Sequence, residues 1–134
     1  MSDTRNSPQV DILRSPLGRA RGLGAARSGS RHWWVQRLSG IALVPLTLWF
    51  IFGVIGMAGA SRLDVQVWLA SPITMTLMLA LIIGTFHHLQ LGLQVVIEDY
   101  VHDDGTKLIA VLLMKGLCMF LALACIVSVL SLGL

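Results

Sequence analysis

Charge is scarce in this chain of 134 residues, of which 13% are charged and 55% are hydrophobic. Because a typical soluble domain is about 25% charged, the composition excludes a disordered protein and a soluble enzyme with its own nucleotide-binding fold. Cysteine is nearly absent, which excludes a disulfide scaffold. Cys118 and Cys125 lie seven residues apart in one apolar segment, and roughly 10 Å along a helix is too far for a bridge. The sequence therefore predicts a small integral membrane protein.

Acidic residues are rare in the first 37 positions, which hold seven of the ten basic residues but only Asp3 and Asp11. A basic tail on a soluble protein would suggest nucleic acid. This one precedes a long apolar segment, so we expect no nucleic-acid partner and interpret residues 1–31 as a cytoplasmic tail before a membrane domain at 32–134. The first apolar run starts too late and is too long for a cleaved signal peptide. We expect a bacterial inner-membrane protein, with the mitochondrial inner membrane as the alternative.

Three long apolar segments predict three transmembrane helices, over residues 38–60, 72–97 and 108–132. The first has 23 residues without a formal charge, and it would rise roughly 35 Å as a helix, enough to cross a hydrocarbon core of about 30 Å. Ser71 followed by Pro72 predicts the N-cap and the first residue of the second helix. Since no segment alternates as a strand would, the predicted fold class is an all-α integral membrane protein.

The basic tail also predicts the orientation, because basic residues favour the cytoplasmic side of a membrane. With the N-terminus inside, residues 61–66 form an outer loop and residues 98–107 form an inner loop. That inner loop is acidic, but acidic residues contribute little to topology. The C-terminus is then expected outside.

Two adjacent histidines occur deep in the second predicted span, where ionisable residues are rare and point to a function. His88 lies ten residues before Glu98, roughly 15 Å from the inner surface. Gly84 and Gly92 lie one turn to either side of His88 and share its face. That face either accommodates a flat macrocycle such as haem, with His88 as iron ligand, or forms a helix-packing groove in which His88 hydrogen-bonds across an interface. For His87 we expect a polar contact between helices.

Polar residues also mark the inner ends of the first two predicted spans. Tyr100, beside Asp99, is either an interfacial belt residue or a hydroxyl donor to a lipid-soluble ligand. Ser39 is a second candidate hydroxyl for a quinone-like head group. Near it, the first span begins with paired tryptophans and basic residues that either anchor the helix or meet an anion such as a haem propionate: Arg37, Arg31 and His32.

The pattern His88-x3-Gly92-x6-Asp99-Tyr100, on the second of three spans after Trp-Trp-x-Gln-Arg-x-Ser-Gly, resembles the hydrophobic membrane-anchor subunit of succinate dehydrogenase (complex II). The resemblance covers roughly residues 31–134 and implies a second three-span anchor subunit, with one haem b held between the two. It implies that His88 is an axial ligand and that Tyr100 hydrogen-bonds ubiquinone with Asp99 beside it. It also places Arg37 near the propionates and the quinone. The implied further partners are the iron–sulfur and flavoprotein subunits.

A six-coordinate haem needs two axial ligands, and the sequence offers no second deep histidine, since His32 and His102 are interfacial. We therefore expect the second ligand from a partner chain, which makes this chain half of a haem-binding bundle.

The chain has neither a dinucleotide fold nor a cysteine cluster, so we expect a non-catalytic subunit at the quinone end of electron transfer. Two other classes remain open: a small transporter with a His87/His88 proton relay, and a haem-free assembly or anchoring module.

Overall fold

The computed structural model describes residues 16–20 and 29–134, except for the side chains at positions 18, 19 and 29. The chain divides into a unit that ends at Trp33 and a unit from Trp34 to Leu134. The first unit contains α1 (Pro16–Ala20), a helix of five residues. Most of the predicted basic tail lies outside the described residues, so its boundary and its role stay predictions. The helices that follow are α2 (Gly29–Gly56), α3 (Arg62–Ala70), α4 (Pro72–Tyr100) and α5 (Asp104–Gly133).

Three of these helices are long and apolar enough to cross a membrane, which confirms the prediction of an all-α, multi-pass membrane protein. They are α2, α4 and α5, with 28, 29 and 30 residues. At these lengths each rises roughly 42–45 Å, more than a hydrocarbon core of about 30 Å, so each is tilted or continues into the headgroup region. α4 starts as predicted, with Ser71 as N-cap and Pro72 in the first turn, although the Ser71 side chain makes no capping hydrogen bond.

The long helices do not end where the apolar runs end, and at the start of α5 local hydrogen bonds set the boundary. α5 begins at Asp104 instead of residue 108, since the carboxylate of Asp103 accepts hydrogen bonds from the backbone N–H and the hydroxyl of Thr106, at 2.7 and 2.6 Å. Bonding to the Thr106 side chain and backbone lowers the pKa of Asp103. α4 continues to Tyr100, so the predicted inner loop of residues 98–107 shrinks to 101–103, and α2 ends at Gly56 instead of residue 60.

A short helix, α3, begins within residues 61–66, which the sequence analysis predicts as a loop, so the expected irregular conformation there is wrong. Its N-cap is Ser61, whose hydroxyl accepts from the Asp64 backbone N–H at 3.3 Å while the Asp64 carboxylate accepts from the Ser61 N–H at 2.9 Å. This reciprocal capping box satisfies two N–H groups at the helix start. The Ser61 hydroxyl also donates to the Asp64 carboxylate at 2.7 Å, and this bond, followed by the one from the Ser61 backbone N–H, lowers the pKa of Asp64. The Ser-x-x-Asp spacing is the sequence signal for α3.

Three of the four most buried side chains in the described part of the second unit lie in α3 or in the first two turns of α4, and the fourth, Cys118, lies in the middle of α5. The backbones of α3 and α5 also approach each other closely, because a Cβ at Gly133 of α5 would lie 3.1 Å from the carbonyl oxygen of Leu69 in α3. Cys118 and Cys125 are both free thiols in the described chain. The residues that are less than a tenth exposed in the described chain are Leu69, Thr74, Met78 and Cys118.

An aromatic contact joins α2 to α3. The ring of Trp68 stacks on that of Trp49, with centroids 5.9 Å apart and planes at 21°. Gly53 makes room for this ring, since a Cβ at Gly53 would lie 2.8 Å from Trp68 Cζ2. Many large apolar side chains of the long helices are exposed, as expected for surfaces that face lipid or other subunits.

Candidate functional site

The candidate site lies where α2 packs against α4. Three contacts set the register of the two helices: Gln36 lies opposite Gly92, Gly40 opposite His88, and Leu43 opposite Gly84. The numbers rise along one helix as they fall along the other, so α2 and α4 are antiparallel neighbours.

Both glycines of the Gly84/His88/Gly92 face are used for this packing. A Cβ at Gly84 would lie 3.2 Å from Leu43 Cδ2, and a Cβ at Gly92 would lie 3.3 Å from Gln36 Nε2. These distances are tighter than ordinary van der Waals contact, so the absence of side chains lets α2 approach. The packing groove considered from the sequence is therefore present, and the two glycines do not form a free flat surface for a macrocycle.

The imidazole of His88 is held against α2 by two contacts. Its Nδ1 lies 2.9 Å from the hydroxyl oxygen of Ser39. Its Cε1 lies 3.2 Å from the position that a Cβ on Gly40 would take. The same Ser39 hydroxyl donates to the backbone carbonyl of Gln36 at 2.9 Å. Among the described residues, no side chain or backbone group hydrogen-bonds the other ring nitrogen, Nε2.

His88 borders an open groove of about 350 Å³. The other lining residues come from one face of α2, at the i, i+3, i+4 spacing of a helix. They are apolar or carry a single hydroxyl, so His88 supplies the ionisable group of the groove. The sequence analysis assigned no site role to these residues of α2, although Gly40 ends the quoted Ser-Gly motif, and their helical spacing is the signal that places them together. The lining residues are Gly40, Leu43, Val44, Thr47, Leu48 and His88.

This arrangement suits a metal complex in which the ligand itself already fills most coordination positions of the metal. Within residues 16–20 and 29–134 no group of three or more His, Cys, Asp or Glu side chains could hold a metal ion. A bare ion would therefore find one imidazole here, whereas a macrocycle that supplies four equatorial ligands needs only an axial one. The apolar groove and the unbonded Nε2 of His88 thus fit a haem.

His87 does not share the site of His88. Its side chain is exposed, while that of His88 is part-buried, and no hydrogen bond between the two rings is among the contacts of the described chain. The polar helix contact expected for His87 is therefore not made within the described part of the chain. An unpaired imidazole in hydrocarbon costs several kcal/mol, so this face of α4 suits another polypeptide better than lipid.

Two of the candidate quinone residues, Asp99 and Tyr100, occupy the last turn of α4. Tyr100 is 79% exposed and Asp99 is also exposed. Arg37 is exposed too, but the register places it level with Leu91, nine residues from Tyr100, or roughly 13 Å along the helix axis. The adjacency of the two helices therefore does not bring the backbone of Arg37 level with Tyr100, and the assignment of Arg37 to the quinone site beside Tyr100 and Asp99 stays a prediction. Arg37 lies within one turn of the level of His88.

Two further candidates, Arg31 and His32, belong to the unit that ends at Trp33. Arg31 is exposed. His32 is part-buried, and its Nε2 is buried without a hydrogen-bond partner among the described residues. Their assignment to a propionate environment stays a prediction.

The comparisons with known proteins agree with one another. The chain matches the model of the succinate dehydrogenase/fumarate reductase transmembrane subunit family over residues 11–130. It is 32% identical to a succinate dehydrogenase hydrophobic membrane anchor subunit of Rickettsia bellii over 118 residues, 87% of this chain and 94% of the relative. It is 33% identical to a succinate dehydrogenase membrane anchor subunit of Reclinomonas americana over 92 residues, 66% of this chain and 77% of the relative. No solved structure matches significantly.

Proposed function

The chain belongs to the succinate dehydrogenase/fumarate reductase transmembrane subunit family, as one of its membrane anchors, and we propose that it binds haem b and helps to form the ubiquinone-reduction site of a succinate:quinone oxidoreductase. The single observation that carries this proposal is the setting of His88. Its ring is fixed at Nδ1 by Ser39, and it borders an apolar groove. When bound, haem b would supply a one-electron carrier within the membrane.

The partners follow from what the chain provides. His102 is exposed in the connection between α4 and α5, too far along the chain to serve as a second axial ligand beside His88. The second ligand would come from another anchor subunit of the cytochrome b type, which also suits the exposed His87 face. The flavoprotein and iron–sulfur subunits would carry out succinate oxidation, and this chain would anchor them to the membrane.

Tyr100 is the residue that we assign to quinone. Its exposed hydroxyl lies at the end of α4, where water can deliver the two protons that quinone reduction consumes. Donation from this hydroxyl to a quinone carbonyl would stabilise the negative charge that develops on reduction, and Asp99 would lie beside it. Ser39 is left out of the quinone site, because its one hydroxyl hydrogen goes to the Gln36 carbonyl. The level of Arg37, close to that of His88, suits a haem propionate better than the quinone head group.

The proposed setting is a bacterial inner membrane with the N-terminus in the cytoplasm, in line with the basic residues before the first span and with a Rickettsia relative. The Tyr100 end of the bundle then faces the cytoplasm and the α3 end faces outward. Reporter fusions after Asp104 should be active only in their cytoplasmic form. Activity of the periplasmic form at this position would show that the topology is the inverse of the one proposed.

The experiment that tests the haem assignment compares His88→Ala with His87→Ala in the complex expressed with all its subunits. We expect His88→Ala to lose the reduced-minus-oxidised haem b spectrum, because no described group near the groove replaces its Nε2. His87→Ala removes a neighbouring imidazole from a different face and should keep the spectrum. A normal spectrum in His88→Ala at normal complex abundance would reject the assignment, and a wild-type complex without a chromophore would favour the transporter or haem-free alternatives.

The quinone assignment is tested by Tyr100→Phe. Removing the hydroxyl should lower succinate–quinone reductase activity strongly, by about 10²-fold if it acts as a preorganised donor. Electron transfer from succinate to a dye acceptor on the soluble subunits should survive, and haem content should stay near normal. If quinone reduction matched wild type, Tyr100 would be an interfacial belt residue.

A further inference from the structure

We propose that Ser39 is the positioning residue that fixes the tautomer of His88, so that Nδ1 carries the hydrogen and Nε2 presents its lone pair to iron. This inference rests on the proposed haem site and deepens it. It concerns a residue of α2 that would not touch the metal and that the sequence analysis assigned to quinone.

The single hydroxyl hydrogen of Ser39 determines the hydrogen-bond directions around His88. The Ser39 oxygen makes two contacts, one with the backbone carbonyl of Gln36 and one with His88 Nδ1, both at 2.9 Å. A hydroxyl has one hydrogen, and a carbonyl oxygen can only accept. Both contacts are hydrogen bonds in one arrangement alone: the hydroxyl donates to Gln36, and Nδ1–H of His88 donates to the hydroxyl. In a neutral imidazole, hydrogen on Nδ1 leaves Nε2 as the unprotonated nitrogen.

The shape of α2 keeps the ring in this position. Gly40 follows Ser39 directly, and its missing Cβ is what allows the His88 Cε1 to approach α2, 3.2 Å from where that Cβ would be. One side of the ring edge is therefore in contact with the helix backbone, and Nδ1 meets the hydroxyl. The sequence pair Ser39-Gly40 thus provides the acceptor and the space for the same imidazole.

The opposite tautomer would break this chain of bonds. With hydrogen on Nε2, Nδ1 would need the Ser39 hydroxyl hydrogen, and the hydroxyl would no longer donate to Gln36. Nε2–H would then lack an acceptor among the described residues and could not bind a metal. Ligating histidines generally donate their second ring N–H to an oxygen, which fixes the tautomer and raises the basicity of the ligand, and loss of that partner typically weakens metal binding by about 10–100-fold.

The test uses the assembled complex with Ser39→Ala, Ser39→Thr and Ser128→Ala. Ser128 is the matched control, because its hydroxyl also lies in a predicted span and also donates to a carbonyl of its own helix, that of Ala124 at 2.8 Å, but it contacts no imidazole. The measurements are the rate of haem transfer to an excess of an apo-haem protein, the low-spin haem signal in electron paramagnetic resonance, and the midpoint potential.

We expect Ser39→Ala to lose haem about 10–100-fold faster than wild type, with a shifted low-spin signal as the imidazole orientation changes and a higher midpoint potential, because a less basic imidazole stabilises ferric haem less. Ser39→Thr keeps the hydroxyl and should restore all three, and Ser128→Ala should match wild type. Wild-type haem transfer and signal in Ser39→Ala, alongside complete haem loss in His88→Ala, would overturn the role of Ser39 and leave the haem site standing. Retention of haem in His88→Ala would instead overturn the proposed function itself.

Discussion

At the α3 end of the bundle the described helices close on one another with apolar groups, whereas from His88 towards Tyr100 the helices α2 and α4 meet through polar groups. The α3 end holds the buried Leu69 and Met78 and the stacked rings of Trp49 and Trp68. From the level of His88 towards the Tyr100 end, α2 and α4 meet through Gln36 at Gly92 and through Ser39 at His88. The open groove runs from His88 in the other direction along α2, to Leu48.

This difference separates what the chain does alone from what it does with partners. At the α3 end, polar and aromatic groups have partners within the chain. The helix α3 starts with a complete capping box, and the rings of Trp49 and Trp68 stack on each other. The other half leaves the Nε2 of His88 unbonded, and Gln36 Oε1 is buried with no partner among the described residues. Unsatisfied polar groups in a membrane are costly, so their presence on one half of the bundle marks where another molecule completes the structure.

The largest effect is expected from a substitution that disrupts the contact between α2 and α4. Gly84→Leu puts a side chain where Leu43 already lies, 3.2 Å from the Cβ position, and overpacking of this kind costs about 1–3 kcal/mol. We expect a correspondingly lower stability of the chain in detergent, measured by titration with a denaturing detergent. Gly116→Leu is the control, since a Cβ there meets nothing within 4 Å. Equal losses in the two variants would mean that Gly84 has no special packing role.

A smaller effect is expected at the α3 end from Trp68→Leu. The substitution keeps an apolar side chain but removes the stacking on Trp49, and such pairs contribute about 0.5–1.5 kcal/mol beyond their buried area. Stability in the same titration should fall by that amount. The control is Phe52→Leu, which removes an aromatic ring that is 69% exposed on α2, the helix that carries Trp49. This substitution should change the stability little. If both variants behave alike, the stacked pair does not hold α3 to α2.

The sequence predicted the three spans because runs of apolar residues long enough to cross a bilayer are a direct signature of a membrane helix. It also identified His88 and its glycine face, but left open whether the face packs a helix or receives a ligand. That choice depends on the register of α2 against α4, a tertiary property that no spacing within α4 encodes. The same register separates Arg37 from Tyr100. α3 was missed because a nine-residue helix carries little periodic signal, although its Ser61/Asp64 box was present.

The smallest expected effect concerns a feature that the two ends share: a helix start capped by a carboxylate. Asp64 caps α3 and Asp103 caps α5, and hydrogen bonds lower both pKa values from an ordinary 3.8. A lowered pKa means that the folded state binds its proton less readily than the unfolded state. The caps therefore contribute their full stabilisation above pH 3.8, and they lose it as the pH falls below that value towards the folded pKa.

Amide hydrogen exchange at about pH 6 and about pH 2.5, corrected for intrinsic rates, should resolve this loss at the capped N–H groups. The Thr106 and Ser61 amides donate to Asp103 and Asp64 at 2.7 and 2.9 Å, so their protection should fall in acid. The start of α4 is the internal control, because Ser71 makes no side-chain cap bond and Met75 donates to its backbone carbonyl at 2.9 Å. Asp103→Ala at the higher pH should reproduce the acid behaviour at Thr106 alone. Equal protection of Thr106 at both pH values would show that the Asp103 carboxylate does not hold the first turn of α5, and the long helix would then start by packing and propensity alone.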